Sequence, residues 1–251
     1  MAKMMNNLRF FLTNCGLALM VLVTTACSYK APFFPETDIV GYQPDVLRAT
    51  HLIEDSAQTL ENYALHPELK SIAEYLPTAR GVFIIPKLRD YGVVSGFSLG
   101  RGVLTVRTRD GSWSGPSFHQ LVSAEYMPLM VHRAHSAIVV FRSDPILDAM
   151  LNADGEIKAA PEAEVGVLNA SNHVAPRYNE DVNVIVFTAS DTADYLHEPF
   201  EHARLETDKE LNQGLYGRGA NPNAILYGVV GEPATNHYPA TARRLRAALG
   251  P

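Results

Sequence analysis

The sequence predicts an α+β fold: a curved, mainly antiparallel β-sheet with N-terminal helices and short C-terminal helices packed on it. Three observations predict it. A long amphipathic stretch opens the structured part of the chain, and short β-branched runs punctuated by glycine follow. No long helical segments recur between those runs, as a parallel sheet with crossover helices would require.

The elements follow in order. Asp45 can cap a helix whose stripe is Val46, Thr50, Ile53, Ala57, Leu60 and Ala64, stepping by three and four residues until His66-Pro67 ends it. Leu69, Ile72, Ala73 and Leu76 predict a second short helix stopped at Pro77. Gly81-Val-Phe-Ile-Ile85, Tyr91 to Phe97 and Gly102 to Thr108 read as strands, and Asp110-Gly111 as a hairpin turn from which Ser112-Trp113 returns. Ala134 to Phe141 and Val182 to Thr188 are further strands. Asp144 to Leu151 reads as a short helix closed by the Asn152-Ala-Asp-Gly155 turn. Thr207 to Leu215, begun by Thr207 or Asp208 and ended by Gly214 or Gly217, and Thr241 to Leu249 read as the closing helices.

Composition narrows the function classes. The 251 residues are 47% hydrophobic and 19% charged, which excludes a disordered tail, a collagen-like fibre and a polytopic membrane protein. Twenty-one Lys and Arg against 27 Asp and Glu leave a formal charge of −6, and nucleic acid is not an expected partner without a basic surplus. Two cysteines make neither a disulfide scaffold nor a paired zinc motif.

Residues 1–26 read as a signal peptide. Lys3 and Arg9 form a positive start, no acidic residue occurs before Glu36, and Phe10 to Val23 is apolar except for Thr13 and Asn14. That run is shorter than the ~20 apolar residues a bilayer span takes. Thr24-Thr25-Ala26-Cys27 resembles the bacterial lipoprotein box, with Thr24 in place of the usual Leu. The resemblance implies that the Cys27 thiol receives a diacylglyceryl group and becomes the new N-terminus; ordinary cleavage beside a cysteine is the plainer reading. Cys15 follows too little apolar sequence and leaves with the leader, so Cys27 remains as the one mature cysteine. Ser28 rather than Asp at the next position favours outer-membrane sorting, on the periplasmic side. Residues 27–44, with Pro32, Pro35, Gly41 and Pro44, read as a tether, and 45–250 as a single domain.

Motifs for catalysis are thin. Gly96-Phe-Ser98-Leu-Gly100 matches the serine-hydrolase elbow, which needs a strand, a tight turn and a helix. The β-alternating run after Gly100 offers no helix, and a glycine-rich strand pair explains the same residues. His132 and His135 would face opposite sides of a strand, and Pro199 interrupts the His197, Glu198, Glu201 and His202 group, so neither reads as a metal site. No Walker loop or GxGxxG occurs, and no cofactor is expected. Phe97, Trp113, Phe118, Leu121 and Tyr126 cluster around the glycine-rich region; most such residues are core, and a subset are candidates for contact with lipid.

Several of these segments, in order, resemble the SYLF-domain family, described as lipid-binding and related to a yeast actin-patch protein. Ala79-Arg-Gly81-Val-Phe-Ile-Ile-Pro86 is similar to its first strand, and Gly92, Gly96, Gly100 and Gly102-Val-Leu104 to its glycine ladder. Trp113-Ser-Gly-Pro116 with Phe118 resembles its W-S-x-P-x-[FY] segment, and Asp181 to Phe187 a later strand. Asn212, Leu215-Tyr-Gly217-Arg218 and Ile225-Leu226-x-Gly228 resemble its C-terminal signature. Val122 to Met130 lacks the family's glycine-rich stretch and Q-x-G. Eukaryotic members carry a basic amphipathic helix implicated in phosphoinositide binding. Here the first helix holds Asp45, Glu54, Asp55 and Glu61 against Arg48, so phosphoinositide and actin binding are not carried over.

The resemblance implies a non-enzymatic, phospholipid-binding domain on a membrane-anchored lipoprotein. An envelope scaffold whose only lipid contact is its anchor is the alternative, with an envelope protein or peptidoglycan as partner. A serine esterase using Ser98 is the second alternative.

Overall fold

The structure, a computed structural model, describes residues 45–92, 96–125, 131–153, 165–169, 182–189, 203–228, 231, 233 and 238–251, with side chains placed for most of them. Cys27, the leader and the tether lie outside these residues, as do Tyr126 and the His197–His202 group. The described residues belong to the compact unit Gln43–Pro251.

Helix α1 spans Asp45–Leu65, as the periodicity predicts. Its buried stripe runs through Ala49, Thr50, Ile53, Ala57 and Leu60 and finishes on Tyr63, while Ala64 is exposed. Tyr63 takes the inward position because its hydroxyl donates to the Ser136 carbonyl at 2.6 Å, which gives a buried phenol its polar partner. Helix α2 is a single turn, Ile72–Tyr75, continued by a 3-10 turn at Leu76–Thr78 that takes in Pro77.

Seven strands follow: β1 Gly81–Gly92, β2 Gly96–Val106, β3 Ser117–Glu125, β4 Val131–Phe141, β5 Val165–Asn169, β6 Val184–Thr188 and β7 Arg204–Thr207. Their order in the sheet is β5-β6-β4-β1-β2-β3-β7. Every pair is antiparallel except β5–β6, so the α+β reading with a mainly antiparallel sheet holds.

Two strand assignments change. β1 runs through Pro86 instead of stopping at Ile85, because a bulge between Ile84 and Lys87 absorbs the residue that has no N–H to give. Tyr91 to Phe97 is not one strand: β1 and β2 form a hairpin with Gly92 paired to Gly96. The predicted Gly102 strand is therefore the second half of β2. The turn at Asp110-Gly111 forms as expected, with Gly111 at φ 84° and Arg107 bridged to Trp113.

Helices α3 (Asp144–Ala153), α4 (Lys209–Tyr216), α5 (Pro222–Leu226) and α6 (Tyr238–Leu249) complete the unit. Asp208 caps α4 by accepting the Leu211 N–H at 3.0 Å, and Thr207 belongs to β7. Gly217, at φ 94°, ends it.

Both sheet faces are covered. Val82, Ile84, Val103, Phe118, Ile138, Val140, Ile185 and Phe187 pack under α1, α4 and α6. Phe83, Ile85, Leu104, Val139, Phe141 and Val186 face the other way, against Ile146, Leu147 and Met150 of α3 and Leu226 of α5. Helix α3 touches both β4 and β7. Those strands are four places apart, roughly 19 Å in a flat sheet, so a helix about 10 Å wide meets both only because the sheet curls around it.

Candidate functional site

Among the described residues, Phe97, Phe118, Leu121 and the marked glycines from Gly81 to Gly102 lie on β1, β2 and β3, where glycines let the strands approach closely. Gly102 sits against the Ile84 carbonyl and the Phe83 ring, the nearest ring carbon being 2.7 Å from where a Cβ would stand. At Gly100 that Cβ would lie 2.5 Å from Ile85 Cγ2 and 2.9 Å from Leu88 Cδ1. A Cβ on Gly81 would lie 3.2 Å from the Leu147 methyl carbons of α3. Gly81, Gly100 and Gly102 thus make room for the large side chains of the α3-side core, and Gly92 and Gly96 close the hairpin.

Trp113, Phe118 and Leu121 are buried, the first two under the helices and the third in the α3-side core. In this arrangement none of the three presents a face to lipid. Phe97 lies in β2, in register between Tyr91 and Ala124. Among the described residues the exposed large hydrophobics are Leu47, Tyr227 and Leu65, the last 83% exposed at the end of α1.

Ser98 is 3% exposed and lies inside β2, opposite Ser123 of β3. The strand continues to Val106, so the turn and helix of a hydrolase elbow are not formed around it. His132 and His135 are on β4, and among the described residues no three His, Cys, Asp or Glu gather as metal ligands.

A buried polar cluster, not foreseen from the sequence, crosses from β3 to α4. Ser117 Oγ lies 3.0 Å from His119 Nε2 and 3.4 Å from Asn212 Oδ1. Asn212 accepts the Phe118 N–H and donates to the Phe118 carbonyl, both at 2.9 Å. His119, 2% exposed and edge-on to Phe83, has its pKa pushed down to about 3 by burial, so it stays neutral. A Ser–His pair can activate a nucleophile, but Ser117 is fully buried and meets no solvent. The cluster gives partners to the Phe118 peptide and the Ser117 hydroxyl, while His119 Nδ1 is buried without a hydrogen-bond partner among the described residues.

The neighbouring segment Trp113–Pro116 is a junction. Trp113 Nε1–H donates to the Gly250 carbonyl at 3.0 Å, and the Tyr216 hydroxyl to the Pro116 carbonyl at 2.8 Å. The Arg107 guanidinium lies 4.1 Å from the centre of the Trp113 ring. Across the end of the sheet, Arg80 of the β1 entry forms an ion pair with Asp144 at 2.7 Å, and Arg142 leaves the end of β4.

These arginines share a local pattern in the sequence. Each stands immediately outside a strand, at Arg80-Gly81, Val106-Arg107 and Phe141-Arg142, but only the register shows them as neighbours.

The acidic face of α1 is likewise not bare. Arg244 of α6 donates to both carboxylate oxygens of Glu61, at 2.9 and 2.7 Å, and approaches Glu54 at 3.8 Å. Its hydrogen bonds hold the Glu61 carboxyl below its ordinary pKa.

The class defined is an α+β domain with a curled sheet, a buried polar cluster and an arginine-rich sheet end. No family model, curated protein or solved structure matches the chain. Among the described residues no helix is long and apolar enough to cross a membrane.

Proposed function

We propose that the protein is a lipoprotein acylated at Cys27, held at the periplasmic face of the outer membrane, whose domain binds phospholipid without transforming it. The observation that carries this reading is the leader: a positive start, a short apolar run, and small residues ending at Cys27. The resemblance of the glycine ladder and the Trp113 segment to the SYLF family supplies the lipid part. In its favour, those residues occupy positions where the fold depends on them: Gly100 and Gly102 admit Ile85, Leu88 and Phe83, and Trp113 ties the hairpin to the C-terminus. Anchoring also keeps the domain at high effective concentration beside lipid, so a weak intrinsic affinity suffices.

The test uses the Gln43–Pro251 unit, which holds both hydrophobic cores and lacks Cys27. It should co-sediment with phospholipid vesicles at low and at physiological salt. Failure under both conditions removes the lipid-binding part of the proposal.

The burial of Trp113, Phe118 and Leu121 favours a second reading, an envelope scaffold that touches lipid through its anchor alone. Vesicle binding that vanishes entirely without Cys27 selects it. The esterase alternative rests on Ser98, and hydrolysis of short acyl esters that disappears in Ser98→Ala would revive it.

A further inference from the structure

Three guanidinium groups leave one end of the sheet from three adjacent strands. Gly81 pairs with Phe141 of β4 on one side and Val106 of β2 on the other. On the β2 side the ladder continues one rung further, the Arg107 N–H donating to the Arg80 carbonyl at 2.8 Å, while on the β4 side the Arg80 N–H donates to the Phe141 carbonyl at 2.7 Å, the residue before Arg142. Arg80 and Arg107 are therefore cross-strand neighbours, with Cα atoms on the order of 5 Å apart, and Arg142 directly follows the residue to which the Arg80 N–H is bonded. Like charges placed directly opposite on adjacent strands destabilise a sheet, so stability alone does not favour this row.

Neutralisation of the row is incomplete among the described residues. Asp144 answers Arg80, and both side chains remain about half exposed. The other two are held by carbonyl oxygens: Arg107 by Gly111 at 2.8 Å and Leu76 at 3.2 Å, Arg142 by Val182 at 3.0 Å. Carbonyls orient a guanidinium without cancelling its charge. The nearby Asp110 carboxylate is turned to Thr108 and Ser112 instead. Burial, and then the charge of Arg80, lower the pKa of Arg107. The Trp113 ring supports the Arg107 plane from one side.

We propose that the row Arg142–Arg80–Arg107 is an anion site that takes the phosphate of an acidic phospholipid headgroup. Guanidinium forks match phosphate oxygens in pairs, and one phosphate can accept from more than one of them. Asp144 marks the place, because a carboxylate of the protein already holds the central arginine. The choice of a lipid as the bearer of the phosphate rests on the lipid-binding reading above; the anion site itself does not.

Trp113 is the single tryptophan, and its contact with Arg107 makes its fluorescence a reporter of the row. The full chain in uncharged detergent is titrated with short-chain phosphatidylglycerol, with phosphatidylcholine and with inorganic phosphate. Phosphatidylglycerol should give a saturable change and phosphatidylcholine a response about tenfold weaker, its phosphate being offset by choline. Arg142→Gln and Arg80→Gln should each weaken the phosphatidylglycerol response about fivefold or more, while Arg243→Gln on exposed α6 leaves it unchanged. Arg80→Gln also breaks the Asp144 pair, so Arg142→Gln, which removes no ion pair among the described residues, decides the matter. A phosphatidylglycerol response that survives Arg142→Gln overturns the site while leaving lipid binding standing. An Arg142-dependent response to inorganic phosphate with none to either lipid supports the site and overturns the lipid-binding reading. Silence of all three ligands overturns the site.

Discussion

The side-chain amide of Asn212 takes the place of a peptide group beside Phe118. Its Nδ2 donates to the Phe118 carbonyl and its Oδ1 accepts the Phe118 N–H, both at 2.9 Å, with Asn212 fully buried. Strand β7 ends at Thr207, paired with His119, so the amide extends the ladder one residue beyond the edge strand that has run out. Such an arrangement is inexpensive only while both halves are present, since a buried backbone donor without a partner is costly.

Asn212→Ala should therefore destabilise the domain by about 2–3 kcal/mol in urea unfolding. The Phe118 carbonyl keeps the Asp208 N–H at 3.0 Å, so most of that loss belongs to the orphaned Phe118 N–H. Asn212→Asp keeps the acceptor but buries a carboxylate. Relative to wild type its deficit should be largest at neutral pH and shrink on acidification, whereas the alanine deficit should not follow pH in that way.

A glycine series separates three physical causes. At Gly102 a methyl group meets the Ile84 carbonyl, which is backbone held in the ladder, and Gly102→Ala should cost about 3 kcal/mol or prevent folding. At Gly100 the obstacles are mainly the ends of Ile85 and Leu88, which can turn, and about 1–2 kcal/mol is expected. Nothing lies within 4 Å of a Cβ on Gly217, but φ 94° strains any L residue, and about 1–2 kcal/mol should be lost there too. Equal losses at Gly102 and Gly217 would contradict the steric account.

How much was legible follows from which interactions are local. Helix α1 is legible because its stripe and the His66-Pro67 that ends it lie within one stretch of chain. The full length of β1 is not legible, because the bulge that seats Pro86 depends on the partner strands. Strand β7 and the parallel β5 carry little local signal: four and five residues long, they are held by pairing with β3 and β6 more than by any pattern of their own. The polar cluster and the arginine row were hidden for the same reason. Ser117 and Asn212 are 95 residues apart, and Arg80, Arg107 and Arg142 become neighbours only once the register is fixed.

His119 makes stability depend on pH in a definite direction. Burial lowers its pKa from 6.5 to about 3, so between those values the unfolded chain binds a proton that the folded chain does not. Stability should therefore rise with pH across that window and fall as the solution is acidified, by at most roughly 1.4 kcal/mol per pH unit from this group. Carboxylates titrate over part of the same range, so the comparison is between wild type and His119→Gln. The substitution should flatten the urea-midpoint profile between pH 6 and pH 4, even if the variant is less stable at neutral pH. Parallel profiles for the two proteins would show that the histidine titrates alike in the folded and unfolded chains.

The anchor gives the last prediction. Each buried CH₂ of an acyl chain contributes roughly 0.8 kcal/mol, and stable attachment takes more than one chain, which a diacylated and N-acylated cysteine provides. In growing cells the wild type should incorporate labelled palmitate and fractionate with the outer membrane. Cys27→Ser should lose the label, and Cys15→Ser, altering a residue of the leader, should not. Label that persists in Cys27→Ser would place the modification elsewhere. Label present in the wild type but confined to inner-membrane fractions would leave Cys27 standing and overturn the sorting read from Ser28, which separates the chemistry of the thiol from the address that follows it.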